Sequence, residues 1–220
     1  MPVILLSVTV NLVPIKCNPF SEAHFFIQFS ADADTITITA FAAFNFVHVG
    51  FESAMGGWLK TYTQRLERGE GPSFFPPILL FFIFFVAGRA VAPVFFRFLN
   101  KNQMLFVSLI VVFIGMIILL FAGNVLALGV GASVAGFGTA SIFPANLSRF
   151  TEFFGPSASR RATPFFICGT LGAALTNWFI GYISNYSNSL HTGMFLLFFS
   201  VLFLIVLQII LGFQKPPLRA

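Results

Sequence analysis

Few side chains in this sequence are charged: Asp, Glu, Lys and Arg make up 9% of its 220 residues. Soluble domains carry about 25% charged residues, so this chain lacks the polar groups that a water-facing surface needs. Hydrophobic residues make up 57% of the sequence. The composition excludes most enzymes and all nucleic-acid-binding proteins, and it indicates a protein embedded in a lipid bilayer.

Cysteine and the polar aromatics are also scarce. Cys17 and Cys168 lie far apart, and the second lies in an apolar run, so the sequence offers neither a disulfide framework nor a metal-binding motif. We therefore expect no metal and no cofactor. Only 3 Tyr and 2 Trp accompany 33 Phe, so the aromatic side chains are mostly bulk hydrocarbon and hardly an interfacial belt.

The positive charges predict an orientation. The net charge is +5, from 12 Lys and Arg against 7 Asp and Glu. Basic residues in short loops mark the cytoplasmic side of a membrane protein. Counted from the positions of the apolar runs, eight basic residues fall on the side of the N-terminal segment and three fall opposite. The sequence therefore predicts a multi-pass protein of the plasma (inner) membrane with both termini in the cytoplasm.

Six apolar runs are long enough to cross a bilayer, which takes ~20 residues in a helix. The sequence therefore predicts an all-α polytopic membrane protein with a six-helix domain over residues 38–213 and a cytoplasmic tail over 214–220. Residues 1–37 are predicted to be the remnant of a preceding helix followed by a cytoplasmic linker, with an independent domain as the alternative. The six runs are 38–60, 76–97, 103–123, 125–148, 162–184 and 192–213.

The third and sixth runs differ from the other four. They are nearly pure hydrocarbon, whereas the others carry polar residues, small residues and prolines. We expect the third and sixth helices to face lipid on most sides and the other four to line a cavity or pack closely. Two triplets of two inner helices and one outer helix have opposite topology, because three is odd. This is the 3+3 inverted repeat expected in one half of a major facilitator superfamily (MFS) transporter.

Polar and small residues form a stripe on the first predicted helix. Asn45, His48, Glu52 and Gly56 are spaced so that they share one helical face. Glu52 lies eight residues before Lys60, about 12 Å below the outer end of the helix. A carboxylate at that depth should be protonated or paired. The stripe predicts either cavity residues that bind a polar substrate, with Glu52 exchanging a proton, or structural hydrogen bonds to a neighbouring helix.

Two residues are structural or gating candidates. Arg89 lies eight residues before Arg97, so its depth differs from that of Glu52 by only ~6 Å in a core of ~30 Å. A salt bridge between Arg89 and Glu52 is one prediction, and snorkelling of Arg89 to the nearer interface is the alternative. Pro144 is the second candidate, because a proline frees backbone carbonyls and predicts a bend in the fourth helix.

A second stripe runs along the fifth predicted helix. Thr170, Ala174, Asn177 and Gly181 recur at helical spacing. The Asn177 amide carries donors and acceptors that suit a hydroxyl-rich ligand. Asn177 and Thr170 are therefore candidates for the substrate path. The alternative for Asn177 is a hydrogen bond that holds two helices together.

Four segments resemble the MFS, and within it the fucose-permease-like sugar transporter branch. The resemblance covers about residues 38–213. It implies secondary active transport of a sugar or a similar small polar solute, as a symporter with protons, by rocking of two six-helix halves about a central site. His48 stands where that branch leads us to expect an aromatic residue such as Tyr. The segments are VGFESAMGGW at 49–58, GRAVAP at 88–93, GFGTASIFP at 136–144 and the glycine-spaced run 169–181.

The resemblance also implies a missing partner, because such transporters have about twelve spans. The sequence therefore predicts a truncated or split carrier, or a chain that pairs with a second six-helix half. The alternative is a non-transporting membrane protein or an inactive fragment of an MFS carrier. An intramembrane enzyme is not expected, because His24, His48 and His191 are scattered and no Ser–His or His–Glu helical pair of a known catalytic pattern accompanies them.

Overall fold

The computed structural model describes residues 33–66 and 75–212. These residues form seven α-helices and one short 3₁₀ helix, and no β-strand occurs within the two ranges. Each of the six apolar runs coincides with helical structure, and the fourth run is divided between two helices. The α-helices are α1 (Ala33–Leu66), α2 (Pro77–Phe95), α3 (Lys101–Leu120), α4 (Val125–Thr139), α5 (Ile142–Phe154), α6 (Ala158–Tyr186) and α7 (Leu190–Gly212), with the 3₁₀ helix at Gly155–Ser157.

Four helical stretches are long and apolar enough to cross a membrane. They are Pro77–Phe95, Lys101–Leu120, Val125–Tyr186 and Leu190–Gly212, the third of which comprises α4, α5 and α6. The described helices are therefore those of an integral membrane protein. The long helix α1 is not among the four, and it is the helix that carries Asn45, His48 and Glu52.

The predicted bend lies three residues before the proline that suggested it. Helix α4 ends at Thr139 and α5 begins at Ile142, with Ala140 and Ser141 between them. The Ser141 hydroxyl is 2.6 Å from that of Ser108 on α3. Pro144 lies in the first turn of α5, where a missing N–H costs little because the first amides of a helix have no intrahelical partner.

The helices pack in pairs across the molecule. Helix α1 packs along α6, α4 packs along both α2 and α3, and α7 contacts α1, α3 and α6. Glycine permits the closest approaches: a β-carbon on Gly172 would collide with the Phe46 carbonyl oxygen, and one on Gly136 would collide with that of Phe81. Small residues allow such backbone contact between membrane helices.

Burial within the chain does not follow the predicted order of lipid exposure. Helices α3 and α7 were predicted to face lipid. In the most apolar part of each helix, 50% of the residues of α3 and 33% of those of α7 are buried within the chain. Helix α2, predicted to be an inner helix, is only 22% buried. Hydropathy reports which surroundings a side chain tolerates, but the neighbours that a helix has within this chain depend on tertiary packing. The expected order of lipid exposure is therefore not confirmed for α2 and α3.

Candidate functional site

A cavity between α1, α2 and α5 carries two charged side chains on a mostly apolar wall. Its volume is about 420 Å³. Helix α1 contributes a carboxylate and a hydroxyl to its wall, α2 contributes a guanidinium, and two phenylalanine rings complete it. Glu52 is 29% exposed there, so the carboxylate reaches the cavity. The lining residues are Val49, Glu52, Ser53, Gly56, Phe82, Arg89 and Phe143.

Arg89 faces Glu52 across this cavity. Its Nη2 lies 3.9 Å from Oε1 of Glu52, and the guanidinium also lies over the ring of Phe85, 4.4 Å from the ring centroid. Of the two alternatives, the structure therefore has the ion pair. The cation–π contact holds the guanidinium beside the helix that carries it. A carboxylate and a guanidinium in one cavity can together bind a polar solute or exchange a proton.

His48 lies one helical turn below Glu52 and is completely buried. Its Nε2 is 3.6 Å from Oε2 of Glu52. Neither ring nitrogen has a hydrogen-bond partner among the residues that the structure describes. His48 therefore belongs to the same constellation as Glu52, but it lies behind the cavity and not on its wall.

Asn45 lies further along the same stripe and joins two helices. Its Nδ2 donates a hydrogen bond to the Phe165 carbonyl of α6 at 2.9 Å. The side chain is 1% exposed and packs against Gly169, where a β-carbon would leave it no room. Of the two functions predicted for the stripe, Asn45 performs the structural one, although its Oδ1 has no partner within the described ranges.

Asn177 connects the second stripe to the cavity. Its Nδ2 donates to the Ser53 hydroxyl on α1 at 3.0 Å and to the Ala173 carbonyl on its own helix at 2.7 Å. Ser53 is the neighbour of Glu52 and lines the cavity. Asn177 is only partly buried, so it both joins α6 to α1 and lies beside the site.

The structure does not bring Thr170 to the cavity. Thr170 is exposed, and its hydroxyl donates to the carbonyls of Phe166 and Ile167 on its own helix, at 2.8 and 3.2 Å. Pro144 does not line the cavity either. Pro144 follows Phe143, whose ring lines the cavity. The position of Pro144 in the first turn of α5 therefore influences where the Phe143 ring lies.

Sequence reasoning missed Asn146. This side chain is fully buried on α5, and both of its amide atoms lack a partner in the part of the chain that the structure describes. The available signal was a lone amide within an apolar run, as at Asn45. Ser53, Phe82 and Phe143 were missed as well, and no sequence signal distinguishes them from ordinary residues of apolar helices.

The site contains one carboxylate, one imidazole and one guanidinium, with amides and hydroxyls around them. Within residues 33–66 and 75–212, no group of three or more His, Cys, Asp or Glu side chains could hold a metal ion. Such an arrangement can form hydrogen bonds to a polar solute and can take up or release a proton. No protein-family model matches this chain, and no curated protein matches it.

Proposed function

We propose that the chain is one six-helix half of an MFS-type secondary transporter that moves a sugar or another small polar solute. The observation that carries this proposal is the Glu52–Arg89 pair, with both charged groups facing one cavity between otherwise apolar helices. Ionisable groups inside a membrane are costly, and they mark substrate and ion pathways. Glu52 is the proton-coupling residue in this proposal.

The pattern of helix contacts supports an inverted repeat. With α4 and α5 counted as one span, the first triplet is α1, α2 and α3, and the second is α4/α5, α6 and α7. The first helix of each triplet packs on the second helix of the other, as α1 does on α6 and α4 on α2. The third helix of each triplet contacts the first helix of the other, and the two third helices contact each other. These contacts between the triplets are expected of two inverted copies of one three-helix unit, although α6 packs on α7 without a matching contact between α2 and α3.

The exposed apolar surface supports a second six-helix half as the partner. Helix α2 is the least buried of the membrane-spanning stretches, and α6 exposes large side chains that include Trp178 and Phe179. Helix α2 contributes Arg89 to the cavity wall, and α6 contributes Asn177, which donates a hydrogen bond to Ser53 on that wall. A second half on this side would enclose the Glu52–Arg89 cavity between two bundles.

Uptake in membrane vesicles tests the proposal. Vesicles from cells that express the chain in its own genomic setting contain any partner half, and labelled monosaccharides are supplied under an inward proton gradient. We expect Glu52→Gln to reduce gradient-driven uptake at least about tenfold, because an amide cannot exchange the coupling proton. Glu152→Gln, which neutralises an exposed carboxylate at the end of α5, is the matched control and should leave uptake unchanged.

Unchanged coupled uptake in Glu52→Gln would remove Glu52 from the mechanism. The second candidate is a non-transporting membrane protein. It is favoured by Asn45 and Asn177, since both side chains donate hydrogen bonds between α1 and α6. Vesicles that contain the folded, wild-type chain and accumulate none of the supplied solutes would support this second candidate over the first.

A further inference from the structure

Three buried polar side chains carry polar atoms that neither the cavity nor the interhelical hydrogen bonds explain. Asn45, His48 and Asn146 are at most 1% exposed. Five of their polar atoms lack a hydrogen-bond partner among the described residues: Oδ1 of Asn45, both ring nitrogens of His48 and both amide atoms of Asn146. Native proteins leave few buried polar atoms unpaired, and each such atom calls for an explanation.

The packing of α1 on α5 places these side chains at one level. Phe41 on α1 and Phe150 on α5 are in ring contact, with centroids 5.8 Å apart. Further along, Val49 and Glu52 on α1 share the cavity wall with Phe143 on α5. The two helices therefore run in opposite directions. Asn45 and Asn146 each lie one helical turn from the Phe41–Phe150 contact, between it and the cavity, and His48 lies next to this level.

A short path leads from this group to the cavity. Nε2 of His48 lies 3.6 Å from Oε2 of Glu52, and Nη2 of Arg89 lies 3.9 Å from the other carboxylate oxygen. Glu52 on α1 and Arg89 on α2 are the charged groups that face His48 among the described residues. On the helices packed against α1, the nearby polar groups that the structure describes are neutral: the Asn146 amide on α5, and the Phe165 carbonyl on α6, which accepts a hydrogen bond from Asn45.

We propose that His48 is a second proton-binding residue, which receives its proton from Glu52 and is held in its charged form by the amide oxygens of Asn45 and Asn146. This inference rests on the proposed function, in which Glu52 carries the coupling proton. In this proposal the neutral ring has its proton on Nδ1, and its Nε2 lone pair faces Oε2 of Glu52, 3.6 Å away.

In the transfer, the O–H bond of the Glu52 carboxyl group breaks and an N–H bond forms at Nε2 of His48. The electron pair of the broken bond stays on the carboxylate, which remains beside Arg89. The imidazolium donates from Nδ1 to the amide oxygens and from Nε2 to the carboxylate. The net charge of the three groups is the same before and after the step, and the positive charge that forms on the buried ring is paired with the negative charge that forms on Glu52.

The tests are ring ¹⁵N NMR of histidine-labelled protein and infrared spectroscopy of the Glu52 carboxyl group, both recorded over a pH series. The chain has 3 histidines, and the His48 signals are those lost in His48→Gln. If His48→Gln does not fold, His24→Gln and His191→Gln assign the same signals by elimination. We expect the His48 ring to change between its neutral and doubly protonated forms in the transition that changes the Glu52 carboxyl band.

Glu52→Gln should displace the midpoint of the His48 transition by at least about one pH unit, as expected of interacting sites. Asn146→Leu should alter the Nδ1 shift of His48. The matched controls are Glu152→Gln and the exposed Asn185→Leu, which should change neither signal, and His191 should respond to none of these substitutions. A His48 ring that keeps one neutral form across the series, or ignores Glu52→Gln, overturns the proposal.

The NMR result is separable from the transport result. Coupled titration of His48 and Glu52 in a chain whose vesicles accumulate no solute would overturn the proposed function and keep the proton-binding pair. Loss of uptake in Glu52→Gln, with a His48 ring that never titrates, would keep the proposed function and overturn the assignment of His48.

Discussion

Two buried polar groups on α5 and its neighbours differ in how well they are paired. Near the predicted cytoplasmic end, Arg149 is 8% exposed, and its guanidinium donates to Oε1 of Gln208 at 2.7 Å and to the Leu211 carbonyl at 3.0 Å. Three residues earlier in the chain, Asn146 is more deeply buried, and its amide atoms have no partner in the described ranges.

The difference separates a contact whose polar atoms are satisfied from one whose polar atoms are not. Arg149 connects α5 to α7, and Gln208 extends the connection to the Asn102 carbonyl on α3 at 3.4 Å. A buried charge is tolerated when hydrogen bonds satisfy it, and it then fixes one arrangement of the helices. The Asn146 amide makes no such connection within the described residues, so it is available to a ligand or to a protonated neighbour. Substitutions of Arg149 and of Asn146 should therefore change the free energy of unfolding in opposite directions.

The largest effect is expected from Arg149→Met. The substitution leaves the Gln208 and Leu211 oxygens without their donor at a buried contact, which costs about 1–3 kcal/mol for each unsatisfied group. We expect a loss of about 2–4 kcal/mol of unfolding free energy. Thermal or denaturant unfolding in detergent micelles measures it. Arg160→Met, at an exposed position on α6, is the control and should change stability little; equal losses in both variants would contradict the structural function of Arg149.

A smaller loss is expected from Gln208→Leu. Arg149 then keeps the Leu211 carbonyl and loses one acceptor, so we expect about 1–2 kcal/mol. The double variant with Arg149→Met should lose clearly less than the sum of the two single losses, because both remove the same contact. Simple additivity in the same unfolding assay would show that the two side chains do not act together.

Asn146→Leu should raise the free energy of unfolding slightly or leave it almost unchanged, unlike the two substitutions above. Leucine has the same branched shape as asparagine but is larger, so the gain from removing two unpaired polar atoms is partly offset by tighter packing. We expect a change between zero and a gain of about 1 kcal/mol in unfolding free energy. A loss comparable to that of Arg149→Met would mean that the Asn146 amide is already satisfied, and it would remove the contrast between the two sites.

The smallest effect is expected from Lys101→Ala. Lys101 Nζ is 2.8 Å from Oε2 of Glu152, but both side chains are considerably exposed, at 38% and 54%. Exposed ion pairs contribute about 0–1 kcal/mol and weaken with salt. Unfolding at low and high ionic strength should show a small loss that shrinks as salt rises. A large, salt-independent loss would mean that this pair supports the Arg149 contact beside it.

Much of the helix pattern was predictable, and part of the site was too. Glu52, His48 and Arg89 were identified because charged or ionisable residues are rare in apolar runs and helical spacing placed two of them on one face. Asn146 was missed because a single amide in such a run carries no indication of its neighbours. Thr170 was grouped with the cavity candidates but does not line this cavity, since spacing along α6 does not report which side of that helix faces α1.

The sequence by itself determined that this protein is helical and embedded in a membrane, because hydropathy and run length depend only on the order of residues. It also determined which helix carries the carboxylate. Only the tertiary structure decided that Arg89 faces Glu52, that Asn45 and Asn177 donate hydrogen bonds between α1 and α6, and that Asn146 finds no partner among the described residues. These facts depend on the rotation and register of one helix against another, which are set by close packing at residues such as Gly172 and Gly136.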